Sequence, residues 1–537
     1  MTTRTRPSTR TTVRFPSVAL GAGHYYQTEG GYAIAKNGDG SSGRMMPGLL
    51  EVADKTGVPT GYRIFRQFED YPAVGSQTRV MVSGNNTIVY TSVGGAAWSD
   101  PLDTDVIITG AATDTAIFGG RLFIAFGAST AWMFSGVDNT VMAPNTYGGN
   151  ETYANYFLSR KSGLTAPQLV WVRNNNTLYA ATDPASASAV TTLTVGDSSG
   201  TTGVTDFFNG LAQDDTGRIY IGKRDTLYTL TAEGLPVAIF RCKKAPTDAG
   251  GQSDSANFQR WDELDGRVYF IVEGYHLLEV YRGNVTRYMA PGHDMFPNDP
   301  EIPRANLPLN AVTAARGWLY LAMGSKNSAT LKSVTHTHGG GALYQNTFSV
   351  TSDLWKGRYF GDQWVWHGVI LECTDPLRGM HFSFIDDYLY LFSGDSEAAD
   401  VQARRAYLLP DPLHAVKSSN IHLATGEILF ETGLIRGQDY EMERLLRIRC
   451  EPLYPLASAT PSVAILYRYL PPEDTSAYTT LVTHTNSYEA RRWATFPRNA
   501  IGRGFHLQFA LTGLAGSPNT YAILENAELE LEPWFSS

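Results

Sequence analysis

The sequence predicts an all-β protein: a β-propeller of about seven blades (about six to eight), followed by a C-terminal β-sandwich. Three observations carry the prediction. One short strand-turn-strand motif recurs along most of the chain, and its copies return at a spacing of roughly 40 to 50 residues, as propeller blades do. The third is composition: 52 Gly and 27 Pro in 537 residues, with 12% aromatic and only 18% charged side chains, describe a chain rich in turns and strands and argue against a helical bundle.

The motif is clearest at Gly120-Arg121-Leu122-Phe123-Ile124-Ala125-Phe126-Gly127, which runs through a tight turn into Thr130-Ala131-Trp132-Met133-Phe134. It returns at Gly217-Arg218-Ile219-Tyr220-Ile221, at Gly266-Arg267-Val268-Tyr269-Phe270 and at Gly317-Trp318-Leu319-Tyr320-Leu321. Leading strands are expected near Arg79, Arg121, Thr177, Arg218, Arg267, Trp318 and Tyr388. Within a copy, Leu122, Ile124 and Phe126 share one face while Phe123 and Ala125 share the other. Both faces are apolar, so each sheet must be covered twice, and radial stacking does this. Asp214-Asp215-Thr216-Gly217, Asp265-Gly266 and Asp386-Asp387 precede the strands as turn residues rather than catalytic carboxylates. Gln363 to Ile370 reads as an extra strand and leaves room for an eighth blade.

Three regions follow from the pattern. Residues 1–16 form a basic arm with Arg4, Arg6, Arg10 and Arg14, no acid and no apolar signal core, which reads either as a frayed tail or as an extended arm that docks by ordering against a partner subunit or nucleic acid. Residues 17–424 hold an entry segment, the propeller and its loop insertions. Residues 425–537 lack the motif but carry strands at regular spacing, near Ile428, Leu445, Val463, Thr479, Phe505 and Tyr521, as a sandwich does.

Net charge is -9, which gives no general affinity for nucleic acid, since phosphate binding needs clustered Lys and Arg. Cys242, Cys373 and Cys450 are odd in number and have no CxxC spacing, so they read as free thiols of a protein made in a reducing cytoplasm. No apolar run is long enough for a membrane-spanning segment. His336 and His338, two apart on one strand face, are the candidate metal pair, but no third ligand or carboxylate adjoins them. The loop from Gly292 to Glu301 gathers three carboxylates and His293 without a defined spacing and reads as an ordinary exposed loop. No nucleophile, zinc-protease or phosphate-loop motif occurs, so no catalytic residue and no cofactor is expected. Trp355, Tyr359, Phe360, Trp364 and Trp366 cluster as candidate contact aromatics for a sugar or protein neighbour, the competing role being packing between blades. Tyr90 to Trp98 resembles the Asp-box hairpin of sialidase-like propellers, with Val93 where the Asp belongs.

The layout as a whole resembles a family of tailed-bacteriophage tail structural proteins, the nozzle or the tail-tip and fibre-adaptor proteins. The features that carry it are the Pro47-Gly48-Leu49 turn, the strand Gly61-Tyr62-Arg63-Ile64-Phe65 and the degenerate blades. To these the sandwich adds Ile428-Leu429-Phe430-Glu431-Thr432-Gly433-Leu434 before the basic strand Leu445-Leu446-Arg447-Ile448-Arg449. The resemblance implies a virion component assembled in the host cytoplasm, a homo-oligomeric ring that docks to adaptor, fibre or neighbouring nozzle subunits. It further implies that the ring lines a channel through which DNA passes without specific binding. The alternative is a carbohydrate-active propeller enzyme, or a glycan- or receptor-binding module, acting on host surface polysaccharide.

Overall fold

A computed structural model describes residues 10–15, 32–41, 43–48, 50–55, 67–73, 76–82, 88–92, 114–119, 121–126, 129–135, 141–142, 154–160, 167–172, 177–183, 190–195, 208–223, 225–242, 257–292, 307–324, 331–338, 342–349, 352–373, 377–382, 388–393, 402–407, 421–423, 428–432, 435, 443–452, 462–469, 478–512 and 522–533. Among these described residues seven antiparallel sheets follow one another along the chain as propeller blades. Blade one holds Gln67–Ala73, Ser76–Val82 and Ile88–Ser92. Blades two to five are four-stranded meanders that open with Asp114–Phe118, Tyr156–Arg160, Phe208–Gln213 and Trp261–Leu264. Blade six contains Leu309–Ala315, Trp318–Gly324, Ser352–Phe360 and Gln363–Cys373, with the hairpin Leu331–His338/Ala342–Ser349 inserted between its second and third strands. Blade seven contains Leu377–Phe382, Tyr388–Ser393 and Gln402–Tyr407 and is completed by Leu50–Lys55 from before blade one. That early strand ties the beginning of the ring to its end.

The first strands of the seven blades lie side by side in chain order, and apolar side chains fill each described gap. Phe123, Phe157 and Trp171 pack blade two on blade three. Val170, Phe208 and Ile221 pack three on four, and Tyr220, Phe258 and Phe270 pack four on five. Leu354, Leu371 and Leu389 join six to seven. Polar atoms at the inner strands are spent on the same joints. Asp114 accepts from the Phe157 N–H at 3.1 Å, Gln213 donates to the Ser159 carbonyl at 2.7 Å, and Asp262 accepts from Thr313 at 2.9 Å and the Ala314 N–H at 2.7 Å. Asn310 donates to Ser352 at 2.7 Å, whose hydroxyl accepts from Leu377 of blade seven at 3.0 Å.

The recurring motif has a local cause. Asp265-Gly266 and Arg316-Gly317 each place two successive residues at positive φ (52° and 76°, then 50° and 75°), the two-residue hairpin turn whose twist matches the strands. The Asp214 carboxylate caps the equivalent turn of blade four, accepting from the Thr216 and Arg218 N–H groups at 3.0 Å each. Each of the seven expected strand starts falls in a different sheet. Thr177 opens the third strand of its blade rather than the second. Gln363–Cys373 is the outer strand of blade six, so no eighth blade forms there.

All six expected C-terminal strands are present, and the sandwich is broader than residues 425–537. One of its sheets runs Thr11–Phe15, Leu524–Pro533, Glu443–Pro452 and Ala494–Thr495. The other runs Tyr32–Lys36, Ile428–Thr432, Phe505–Thr512, Ser462–Tyr469 and Thr479–His484, and through a parallel bridge from Lys36 to Val369 it continues into blade six. A single apolar core extends from Tyr269 and Leu321 between blades five and six to Phe430, Phe509 and Leu529 in the sandwich. Thr11–Phe15 of the arm and Tyr32–Lys36 of the entry segment therefore each supply a strand to the C-terminal region. Gly48, of the Pro47-Gly48-Leu49 turn, comes so close to blade six that a Cβ there would lie 2.1 Å from the Ile370 carbonyl oxygen. Gly61 to Phe65 and Val93 to Trp98 lie outside the described residues.

Two predictions follow from packing. Phe258 sits fully buried at φ +67°, wedged against two glycines of blade four. A Cβ on Gly210 would lie 2.4 Å from its carbonyl oxygen, and one on Gly222 would lie 2.5 Å from its Cβ. Gly210→Ala is expected to lower unfolding free energy by about 2–3 kcal/mol in denaturant titration, as overpacking does. The second concerns pH. Burial pushes His506 down to about 4, and its Nδ1–H donates to the Thr432 carbonyl at 3.1 Å. Burial likewise pushes His367, edge-on to Trp318, down to about 3. Both rings stay neutral in the fold where the unfolded chain takes up protons, so their contribution to stability is complete above about pH 6.5 and declines as pH falls toward the folded values. The melting temperature should drop between about pH 7 and about pH 4, and His506→Gln should flatten that drop.

Candidate functional site

The sandwich strand Leu524–Pro533 alternates Ala527, Leu529 and Leu531, all buried, with Glu528, Glu530 and Glu532 on the outer face. Its neighbours do the same with basic residues. Glu443–Pro452 buries Ile448 and Cys450 and turns Arg447 and Arg449 outward, while Thr11–Phe15 buries Phe15 and turns Arg14 outward. The result is a charge ladder across three strands. Arg447 grips Glu530 through two hydrogen bonds of 2.7 and 2.8 Å, and Arg449 grips Glu528 through Nε at 2.8 Å. From the other side Arg14 approaches Glu528 to 2.9 Å and Arg10 approaches Glu530 to 4.0 Å. The hydrogen bond from Arg447, with the charges of Arg10 and Arg449 behind it, holds the Glu530 carboxyl below the usual range. Trp493 lies beneath both guanidinium groups, at 4.3 and 4.9 Å.

The basic arm thus meets acids of its own chain. Arg10 and Arg14, expected to dock a partner, face Glu530 and Glu528, because Val13 and Phe15 draw the strand onto the sandwich core, where the Phe15 ring lies 6.3 Å from Phe509. Arg4 and Arg6 lie outside the described residues. The three glutamates were the residues that sequence reasoning passed over, although the period-two pattern Glu528-Leu529-Glu530-Leu531-Glu532 is legible as an acidic strand face.

A second polar cluster lies between blades five and six. Glu279 is fully buried and accepts from Arg267 at 2.7 Å, Thr286 at 2.7 Å and the Tyr359 hydroxyl at 2.7 Å. Arg267 is held between the Tyr281 and Tyr359 rings, each at 4.7 Å. Burial and the neighbouring Glu279 push the Tyr359 phenol up to about 12. With donors on both oxygens, Glu279 joins two blades. The candidate contact aromatics belong to this joint. Trp355 and Trp366 are core residues and present no contact surface. Trp364 packs between Tyr269, Tyr359 and Trp366 at 5.1–5.6 Å, and Phe360 lies under Arg358 at 4.5 Å. Blades consume these aromatics, as their position in the stacked sheets requires.

A third cluster sits at the turn between the second and third strands of blade five. Glu273 accepts from the Tyr288 hydroxyl and lies 3.3 Å from His276 Nδ1, and the His276 ring stacks on Tyr288 at 4.3 Å. On blade six, Lys356 pairs with Asp39 of the entry segment and lies 4.4 Å from the Trp318 ring. His336 and His338 stand two apart near the end of the inserted hairpin, paired with Tyr344 and Ala342. Among the described residues no three His, Cys, Asp or Glu side chains gather closely enough to hold a metal ion. Cys242 and Cys450 are buried thiols, and burial pushes the Cys450 thiol up to about 12. No helix among the described residues is long and apolar enough to cross a membrane.

Glu279→Ala is expected to lower stability by about 3 kcal/mol or more in denaturant titration, because it leaves the Arg267 charge unpaired between two sheets. Replacing both partners together, Glu279→Leu with Arg267→Met, should recover most of that loss.

No protein-family model and no curated protein matches the sequence. Solved structures do align. YCF48 bound to D1 peptide matches at 12% identity with a TM-score of 0.41, covering 66% of this chain and 94% of that one. YCF48 from Cyanidioschyzon merolae matches at 10% identity and 0.40, covering 67% and 98%. The RRP9 WD40 repeats match at 10% identity and 0.42, covering 66% and 99%. At these scores none of the three bears on activity, partners or location, and the propeller stands on its own strand order and blade packing.

Proposed function

We propose that this chain is a structural subunit of a bacteriophage tail, of the nozzle or tail-tip type, which assembles with other tail proteins in the host cytoplasm and stays in the virion. The observation that supports this most is how the buried acids are used. Asp114, Asp214, Glu279 and Glu528, with the half-buried Asp262, accept hydrogen bonds from neighbouring strands and blades, so their chemistry goes into holding a rigid ring and its appended sandwich together. The family resemblance of the layout supplies the tail, and the net charge of -9 suits a surface past which DNA slides without sticking, since like charge suppresses phosphate binding.

In this reading the propeller is a scaffold that docks to adaptor, fibre or nozzle neighbours, and the loops that break the blade pattern are its contact surfaces. The test has two arms. Electron microscopy and mass measurement of the purified full chain should give closed rings, and duplex DNA should not be retained at low salt. Turnover of host surface polysaccharide, abolished by a single Asp or Glu substitution, would overturn the proposal in favour of a propeller enzyme.

A further inference from the structure

The edge of the sandwich holds a short strand, seated by Val13 and Phe15 and by its pairing with Leu524–Pro533. Among the described residues Thr11–Phe15 pairs on one side only, with Leu524–Pro533, in the register Thr11 to Leu531 through Phe15 to Ala527. Of its five residues only Phe15 is fully buried; Thr11, Thr12 and Arg14 are exposed. The groove that receives it is, by contrast, complete without it. Leu529 and Leu531 pack into the core, and Glu528 and Glu530 are already neutralised by Arg449 and Arg447 from the opposite side. Losing the strand therefore strands no buried charge. What remains is a free edge of backbone N–H and C=O groups, a socket for one aromatic ring beside Phe509, and two carboxylates that each accept a second guanidinium.

Such an edge recognises a peptide by the rules of strand addition: backbone pairing supplies the affinity, and alternate side chains supply the specificity. The ligand it selects is an extended basic segment with an apolar residue three positions after the first Arg and an aromatic two further on, with a second Arg between them. Arg10-Thr11-Thr12-Val13-Arg14-Phe15 fits, and every copy of the chain carries it. Sixteen residues separate Phe15 from Tyr32, the next described strand. At about 3.3–3.6 Å per residue that tether reaches as far as roughly 55 Å, about the width of a domain of this kind.

We propose that the edge of Leu524–Pro533 is an acceptor site for residues 10–15 of a second copy, so that subunits are joined by exchange of this strand. The copy in hand shows the exchanged contact closed on itself. Any copy seated in a neighbour forms the same hydrogen bonds, the same Phe15 socket and the same ion pairs, so exchange costs no contact and gains whatever the two surfaces add. The inference stands on strand pairing and is independent of the tail assignment: it applies equally to an enzyme or a binding module with this fold.

Thr12 and Glu530 lie directly opposite each other on the outer face, at a separation suited to a disulfide. Two differently tagged full-length variants, Thr12→Cys and Glu530→Cys, are each purified, mixed under reducing conditions at assembly concentration and then oxidised. Exchange predicts a cross-linked species carrying both tags on a non-reducing gel, lost when Phe15→Asp is added to the Thr12→Cys chain. The double variant Thr12→Cys/Glu530→Cys provides the reference for a strand closed within one chain. Mixed single variants that stay monomeric while the double variant closes intramolecularly would overturn the proposal, as would failure of both to cross-link. A cross-link between tags that survives Phe15→Asp would also overturn it, since the socket would then not be what selects the strand.

Discussion

The fold depends on one constraint: the blade sheets whose side chains are described are apolar on both faces and need a neighbour to cover each face. A sheet such as Tyr156–Arg160 to Val190–Thr194 places Phe157 and Trp171 on one side and Val170 and Leu178 on the other. Each side must meet another sheet of the same kind. A stack of such sheets would always leave two end faces wet, and bending the stack into a ring hides both. The inner hydrogen bonds, from Asp114 to Phe157 and from Asn310 through Ser352 to Leu377, sit at the tightest part of that ring. They satisfy donors and acceptors that the close approach of first strands would otherwise bury without partners.

Seen this way, the arginine in the repeated motif has a purpose beyond solubility. Arg218 of blade four reaches the Gly283 turn of blade five, close enough that a Cβ on Gly283 would lie 2.9 Å from its Nη1. Arg267 of blade five lies against Tyr359 of blade six, and Arg316 lies 5.9 Å from Phe382 of blade seven. In these three blades an arginine at the hairpin turn thus lies against the next blade. The chain repeats a joint as much as it repeats a sheet.

Much of this was legible because it is local. Gly-Arg turns and two-face apolar alternation are fixed by neighbours a few residues apart, and each expected start landed in its own blade. The exception is instructive: in blade three the second strand, Gln168–Val172, follows Thr165-Ala166-Pro167 rather than a Gly-Arg turn, so the motif's signal fell on the third strand instead. The extra length before blade seven came from the hairpin Leu331–His338/Ala342–Ser349 inserted into blade six. What the sequence did not declare are pairings between distant segments: Leu50–Lys55 with Gln402–Tyr407, Tyr32–Lys36 with Ile428–Thr432, and the arm with Leu524–Pro533. The acidic and basic faces of the ladder can each be read as period-two strands. Which strand sits beside which depends on register set across the whole chain, and no local pattern encodes it.

The closing strand also has a consequence in time. Leu50–Lys55 finds its place between Gln402–Tyr407 and Ile421–Leu423, segments that a ribosome delivers roughly 350 residues later. At synthesis rates of about 5–20 residues per second, that strand waits on the order of 20–70 s with its edges unpaired. The strand Thr11–Phe15 waits longer still, since its partner Leu524–Pro533 follows both of those segments in the chain. Blades two to five, each a meander closed within its own stretch of chain, can form as they emerge. The nascent protein is therefore a growing arc of finished sheets trailing unpaired strands at its leading end, and the ring shuts in one late, long-range step. Long-range pairing of this kind is intrinsically slow, because loop closure must precede the contacts that reward it, and until it is made those edges stay open.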